Sequence, residues 1–151
     1  VPTPTIEVDG LFETLNAIKG LQGDLRKEAN AELRVAGRRA AEVLAADLRT
    51  SAARSGVPVA PRVAAAIRTK SDRVPTVIIG GNRKVGRRGA SAAVLAWGSE
   101  HGPAGAPNHF GVAPNAGGYW IAPAVRSFEG GPALTIYKRA VFETIKRYGL
   151  I

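Results

Sequence analysis

DLRKEANAELRVAGRRAAEVLAADLRTSAA, running from Asp24 to Ala53, is the stretch whose reading decides the fold. Its apolar residues Ala29, Leu33, Ala36, Ala40, Val43, Leu44 and Leu48 form one stripe of period 3.6. The opposite side carries Arg26, Lys27, Asn30, Arg34, Arg38, Glu42 and Arg49. The spacing predicts one long amphipathic helix of about 40 Å at 1.5 Å per residue. Asp24 serves it as N-cap or first-turn acid. Arg38 and Glu42 stand one turn apart and can pair weakly. An Ala-rich stripe lets another element come close. Two arrangements fit it: a surface helix laid on a sheet, or a helix shared with a neighbouring subunit.

Upstream, Thr3 to Val8 alternates through Thr5, Ile6, Glu7 and Val8, which suits a short first strand before Asp9-Gly10. Leu11, Leu15 and Ile18 then recur at helical spacing. A kink or break is expected at Gly20 and Gly23, because a glycine costs about 1 kcal/mol in a helix interior.

Downstream, Ser55-Gly56-Val57-Pro58 ends the long helix and Pro61 starts a short helical turn through Ala66. Ala66–Ser71 and Val74–Gly80 read as a hairpin about Asp72-Arg73. Thr76-Val77-Ile78-Ile79, the most β-branched run, reads as a central strand. Ser91 to Trp97 is apolar and fits either a strand or a short helix. Tyr119-Trp120-Ile121 reads as a last strand. Pro123-Ala124-Val125 opens a turn or short helix that Gly130-Gly131 ends. Pro132 opens a closing helix with Leu134, Tyr137, Val141 and Ile145 on its apolar face. Lys138, Arg139, Glu143, Lys146 and Arg147 face water there, and Gly149 stops it. No internal repeat is present.

The 151 residues predict one domain. Hydrophobic residues make up 45%, but many are Ala, so the core is thin and an oligomer burying more surface would help it. Cys is absent, which removes disulfides and thiolate metal sites. No apolar run approaches the roughly 20 residues of a membrane span. The start, Val-Pro-Thr-Pro-Thr, lacks a signal pattern, and the chain reads as cytosolic at synthesis. The net charge of +9 with pI ≈ 10.7 favours acidic partners, either nucleic acid or an acidic protein surface. The plain alternative is solubility together with the Arg- and Ala-rich coding of a GC-rich genome.

The loop Asn82–Gly89 gathers Arg83, Lys84, Arg87 and Arg88. Gly81 and Gly86 have P-loop spacing. The next two residues are Arg87 and Arg88, however, where the motif needs Lys and a metal-binding hydroxyl. Nucleotide hydrolysis is therefore not expected. The four cations form either a solvated hairpin tip or a phosphate contact. His101 and His109 are the only imidazoles and lie in no metal-ligand spacing. Gly98-Ser99-Glu100-His101-Gly102 is not a nucleophile elbow, because its glycines stand one residue too far apart. These residues predict no enzyme, no metal and no cofactor. Trp97, Tyr119 and Trp120 flank a Gly/Pro-rich loop and suit either the core or an interface.

Taken in order, these features resemble the minor tail or tail-completion (neck) proteins of long-tailed siphoviruses, a family related to the tail terminators. The matching segments are Ile6-Glu7-Val8-Asp9-Gly10-Leu11, the helix from Asp24 to about Ala53, Pro61 to Lys70, and Val77-Ile78-Ile79-Gly80. The most characteristic are Trp97-Gly98-Ser99-Glu100 and Ile121-Ala122-Pro123-Ala124. The family segment places Glu before the aromatic-Gly pair, whereas here Ala96 precedes Trp97 and Glu100 follows.

The resemblance implies an α+β fold, with a small, mainly antiparallel sheet packed against the long helix and a C-terminal helix, plus a long Gly/Pro-rich loop. It implies a structural virion protein, made in the host cytoplasm. Such subunits form rings, often of six, at the neck or top of the tail. Their partners are further copies, the tail tube protein and the head connector or neck proteins, with DNA passing through unread. Trp97, Glu100, His101, His109, Phe110, Tyr119 and Trp120 are then expected at subunit or partner contacts. Arg83, Lys84, Arg87 and Arg88 are expected at the lumen, DNA or an acidic partner. The competing expectation is a small basic nucleic-acid-binding protein. It rests on the charge and the Arg83–Arg88 cluster, without a recognised nucleic-acid fold signature.

Overall fold

A computed structural model describes residues 11–105 and 108–150. The first strand expected over Thr3–Val8 lies outside the described residues. The fold is α+β. Six helices are described: α1 Leu11–Lys19, α2 Gly23–Arg54, α3 Ala60–Ala65, α4 Ala92–His101, α5 Ile121–Glu129 and α6 Pro132–Arg147. The strands β1 Arg68–Lys70 and β2 Thr76–Ile78 lie between α3 and α4.

Helix α2 has 32 residues, about 48 Å at the helical rise. The chain breaks over Gly20–Gln22, and Gly23 opens α2 rather than interrupting it. Gln22 is the N-cap and Asp24 a first-turn acid, where its charge favours the positive helix end. The Arg38–Glu42 pair forms at 3.9 Å with both side chains exposed, so it contributes little.

The buried face of α2 is Ala29, Leu33, Gly37, Ala40, Ala41, Leu44, Ala45, Leu48 and Ala52. It is rotated from the expected stripe, since Val43 is 43% exposed while Gly37, Ala41 and Ala45 point inward. The reason is proximity. Helices α1, α3, α5 and α6 and both strands all pack on α2. Small residues let them approach, which the larger Val43 would prevent. The expected packing of this helix on a sheet is met by the two-strand hairpin, but four helices of the same chain also lie on it, so α2 is central rather than a surface helix.

The hairpin has antiparallel register Arg68↔Ile78, Thr69↔Val77 and Lys70↔Thr76. The expectation of a central strand at Thr76–Ile79 is corrected: among the described residues the sheet has two strands, so β2 has one ladder partner and is only half-buried. The turn of this hairpin is pinned from three sides. Asp72 and Arg73 backbone lies against Gly37 of α2, where a Cβ would overlap the Asp72 carbonyl oxygen. Arg73 Nη1 donates to Asn30 Oδ1 at 3.2 Å. The buried Tyr137 of α6 donates its hydroxyl to the Arg73 carbonyl at 2.6 Å.

Burial pushes the Tyr137 hydroxyl well above the ordinary tyrosine value of 10.0; the Asp72 carboxylate adds to this and the Arg73 guanidinium opposes it. Below pH 10 both folded and unfolded chains keep this proton. Above that, the unfolded chain releases it and the folded chain holds it, so stability falls as pH rises. Tyr137→Phe is expected to lose about 1 kcal/mol at neutral pH, the worth of one hydrogen bond. It should also show a shallower alkaline fall than the parent, read from urea midpoints from about pH 9 to about pH 11.

Candidate functional site

The apolar run from Ser91 to Trp97 is helical. Ser91 is the N-cap of α4, and its Oγ accepts from the Val94 N–H at 3.4 Å. Helix α4 packs on α3. Its inner face brings Gly98, Ser99 and Glu100 into the interior, while Ala93, Val94 and Trp97 face out.

Glu100 is the organising residue. It is buried, and its carboxylate reaches the start of α5, more than twenty residues on in sequence. Oε1 accepts from the N–H groups of Trp120 at 2.8 Å and Ile121 at 3.0 Å, and Oε2 accepts from Ala122 at 2.7 Å. Helix α5 has no side-chain cap of its own at Trp120. Its first N–H groups, on the buried Trp120 and the half-buried Ile121 and Ala122, find their acceptor in a carboxylate from another helix. The negative charge also sits at the positive end of α5. Three of the carboxylate's roughly four lone-pair sites are taken by backbone donors, which makes Glu100 the cap of α5.

This arrangement corrects the expected last strand. Tyr119-Trp120-Ile121 has strand-like composition, but Ile121 is the first residue of α5. Trp120 is fully buried. Its indole Nε1 donates to Ser99 Oγ at 3.2 Å, and its carbonyl accepts from Ser51 Oγ of α2 at 2.7 Å. Trp120 therefore locks α4 and α5 to the long helix. Gly118 has φ +89° and packs on Glu100; a Cβ there would lie 2.7 Å from the carboxylate carbon.

The segment leading to α5 is clasped to the end of α4. Asn115 N–H donates to the His101 carbonyl at 2.7 Å, and His101 Nδ1 lies 2.9 Å from the Asn115 carbonyl. A carbonyl only accepts, so Nδ1 carries a proton. Tyr119 N–H donates to the Glu100 carbonyl at 2.7 Å, and its hydroxyl donates to Ala113 at 2.7 Å. Asn108 Oδ1 accepts from the N–H groups of Phe110 and Gly111, and its Nδ2 donates to the Val112 carbonyl. The Phe110 ring covers Gly98, where a Cβ would overlap it.

The structure thus brings together Trp97, Glu100, His101, Phe110, Tyr119 and Trp120 but divides their roles. Glu100 and Trp120 are interior residues, which corrects their expected place at a contact surface. His101, Phe110 and Tyr119 are half-buried, and His109 is exposed. Trp97 is 51% exposed and leans on the His101 ring with centroids 4.1 Å apart. With Val94, 70% exposed, it forms an outward apolar ridge. Sequence reasoning missed Glu100 as a cap. The available signal was a lone acid at the end of an apolar run.

The basic loop lies against α3. Arg83 Nη1 donates to the Ala65 carbonyl at 3.3 Å, and Arg62 Nη1 to Val85 at 3.4 Å. Lys84 pairs with Ser91 across a single bridge. Arg87 and Arg88 are exposed on the turn that Gly86 and Gly89 close. Among the described residues, Arg83, Lys84, Arg87 and Arg88 make no ion pair. Among the same residues, no three His, Asp or Glu side chains converge as metal ligands. No helix among them is long and apolar enough to cross a membrane.

Comparison with protein-family models, curated proteins and solved structures finds no match to this chain.

Proposed function

We propose that the chain is a structural subunit that assembles into a ring at the head–tail junction of a long-tailed phage. It would complete or terminate the tail and join it to the head, acting as a scaffold without catalysis, metal or cofactor. Its partners would be further copies of itself, the tail tube protein and the head connector or neck proteins. The order of elements that resembles the tail-completion family supports this reading.

The observation that carries it is the placement of exposed apolar side chains. Val94 and Trp97 stand out from α4, which packs on α3. Ile136 and Phe142, 64% and 51% exposed, stand out from α6, which packs on α1, α2 and α5. Large apolar side chains exposed on separate elements suit contact with two different neighbours. A head-to-tail contact joins two unlike patches and gives a ring when its rotation closes, whereas a two-fold dimer uses one patch twice.

The test is the native mass of the purified chain over a concentration series. A closed oligomer is expected. Trp97→Ser should raise the concentration needed for assembly by about tenfold or more, as loss of an aromatic anchor does. Its urea midpoint should stay close to the parent's, because half of Trp97 already faces water. A chain that stays monomeric throughout, or a Trp97→Ser variant that assembles like the parent, would count against this reading.

A further inference from the structure

The charge of this protein is segregated. Between Asp47 and Glu129 lie eleven of the 21 Lys and Arg and only two of the 12 acids, Asp72 and Glu100. That segment therefore accounts for the whole net charge of +9. Of its two acids, Glu100 is buried, and its carboxylate is turned to three backbone donors at the head of α5 rather than to the cations of the loop. The remaining residues balance.

Within the basic segment the fold makes a cleft of about 300 Å³ between the end of α3, β1 and the chain leaving β2. Arg68, Gly80, Gly81, Asn82 and Arg83 line it. Gly80 and Gly81 both have φ +104°, a conformation that side chains resist. Arg68 lies beside this turn, its Nη2 within ordinary contact distance, 3.5 Å, of where a Cβ on Gly81 would stand. The N–H groups of Gly80, Gly81 and Asn82 have no acceptor among the described residues. Two guanidinium groups, a carboxamide and unpaired backbone donors on a glycine turn are the components of a phosphate seat.

We propose that this cleft holds a backbone phosphate of duplex DNA, with Arg68 and Arg83 as its charged walls. The exposed Arg87 and Arg88 add attraction around it rather than the seat itself. Arg68 had no place among the residues singled out from the sequence, because it lies in a strand away from the basic loop. Ladder pairing of β1 with β2 brings it opposite Ile78, two residues before Gly80. The inference requires no part of the ring reading.

The experiment is fluorescence anisotropy of a short labelled DNA duplex against the full chain, over a series of salt concentrations. Binding at low salt is expected, weakening steeply as salt rises. Arg68→Ala/Arg83→Ala should weaken it about tenfold and lower the log–log salt slope by about one to two. Lys138→Ala/Arg139→Ala on α6 removes the same charge and should leave both quantities within about twofold. Equal losses in the two double variants would mean diffuse attraction and overturn the seat. An unaffected cleft variant, or no duplex binding by the parent at low salt, would also overturn it. A titration with inorganic phosphate separates the sources: a cleft that takes free phosphate but ignores duplex overturns the DNA assignment. Native mass keeps this result apart from the ring. A monomer that binds duplex through Arg68 and Arg83 keeps the seat and loses the ring, and a ring that ignores duplex does the reverse.

Discussion

Replacing Glu100 by alanine is expected to cost about 3–5 kcal/mol of folding stability, the size seen when one partner of a buried charge-assisted network is removed. Three N–H groups at the head of α5 lose their acceptor at once, and water has poor access beside the fully buried Trp120. The damage should not stay local. Helix α5 packs on α2 and α6, and Trp120 is tied to Ser99 and Ser51. Against a typical domain stability of 5–15 kcal/mol this is a large share. Glu100→Gln keeps one oxygen acceptor but sets an amide N–H₂ against a donor, so its loss should fall between parent and alanine. Urea midpoints of the three chains check the order. A Glu100→Ala variant within about 1 kcal/mol of the parent would show that the cap is dispensable.

The second large effect concerns Gly37. Gly→Ala in a helix interior ordinarily gains about 1 kcal/mol. Here the added Cβ would overlap the Asp72 carbonyl oxygen and stand 3.1 Å from the Arg73 carbonyl carbon. Both are backbone atoms in a turn held by Tyr137 and Asn30, so neither can swing aside as a flexible side chain would. Gly37→Ala is therefore expected to lose about 2 kcal/mol net, a typical cost of overpacking. The comparison is Gly23→Ala in the same helix, where a Cβ meets nothing within 4 Å. That variant should be neutral or gain up to about 1 kcal/mol. A loss in Gly37→Ala and no loss in Gly23→Ala are the expected result of two thermal melts, and a stabilised Gly37→Ala would show that the turn moves freely.

These residues also mark where sequence reading stops. The long helix was legible because its period persists over eight turns and local preference agrees with tertiary packing. The closing helix was legible from Pro132, the Leu134–Tyr137–Val141 face and Gly149. The hairpin was legible because its two extended runs flank Asp72-Arg73. The inward face of α2 was only partly so. Period identifies a stripe of large residues, whereas a helix covered on several sides turns its smallest residues to its closest neighbours.

Tyr119-Trp120-Ile121 was misread for a related reason. Aromatic and β-branched residues suit a strand when nothing else acts on them. Here a carboxylate 21 residues away in sequence caps the helix that begins at Ile121, and no local pattern contains that information. The aromatic cluster was legible as a set, but the division between interior and surface was not. Trp120 and Trp97 look alike in sequence. One lies under α4 and α5, and the other stands on the outer face of α4.

The division sharpens the proposed role. Glu100, Ser99 and Trp120 fix the relative placement of α4 and α5, and through them the position of the Trp97 ridge. Under the proposed reading, the surface offered to a neighbour would thereby be preset rather than formed on contact, which would lower the ordering cost of assembly. The most direct test is an electron-microscopy image of tailed particles assembled with this chain and with a version carrying a bulky tag. A ring of extra density at the head–tail junction is expected. Particles with no such density at the junction, or with the tag elsewhere, would contradict it.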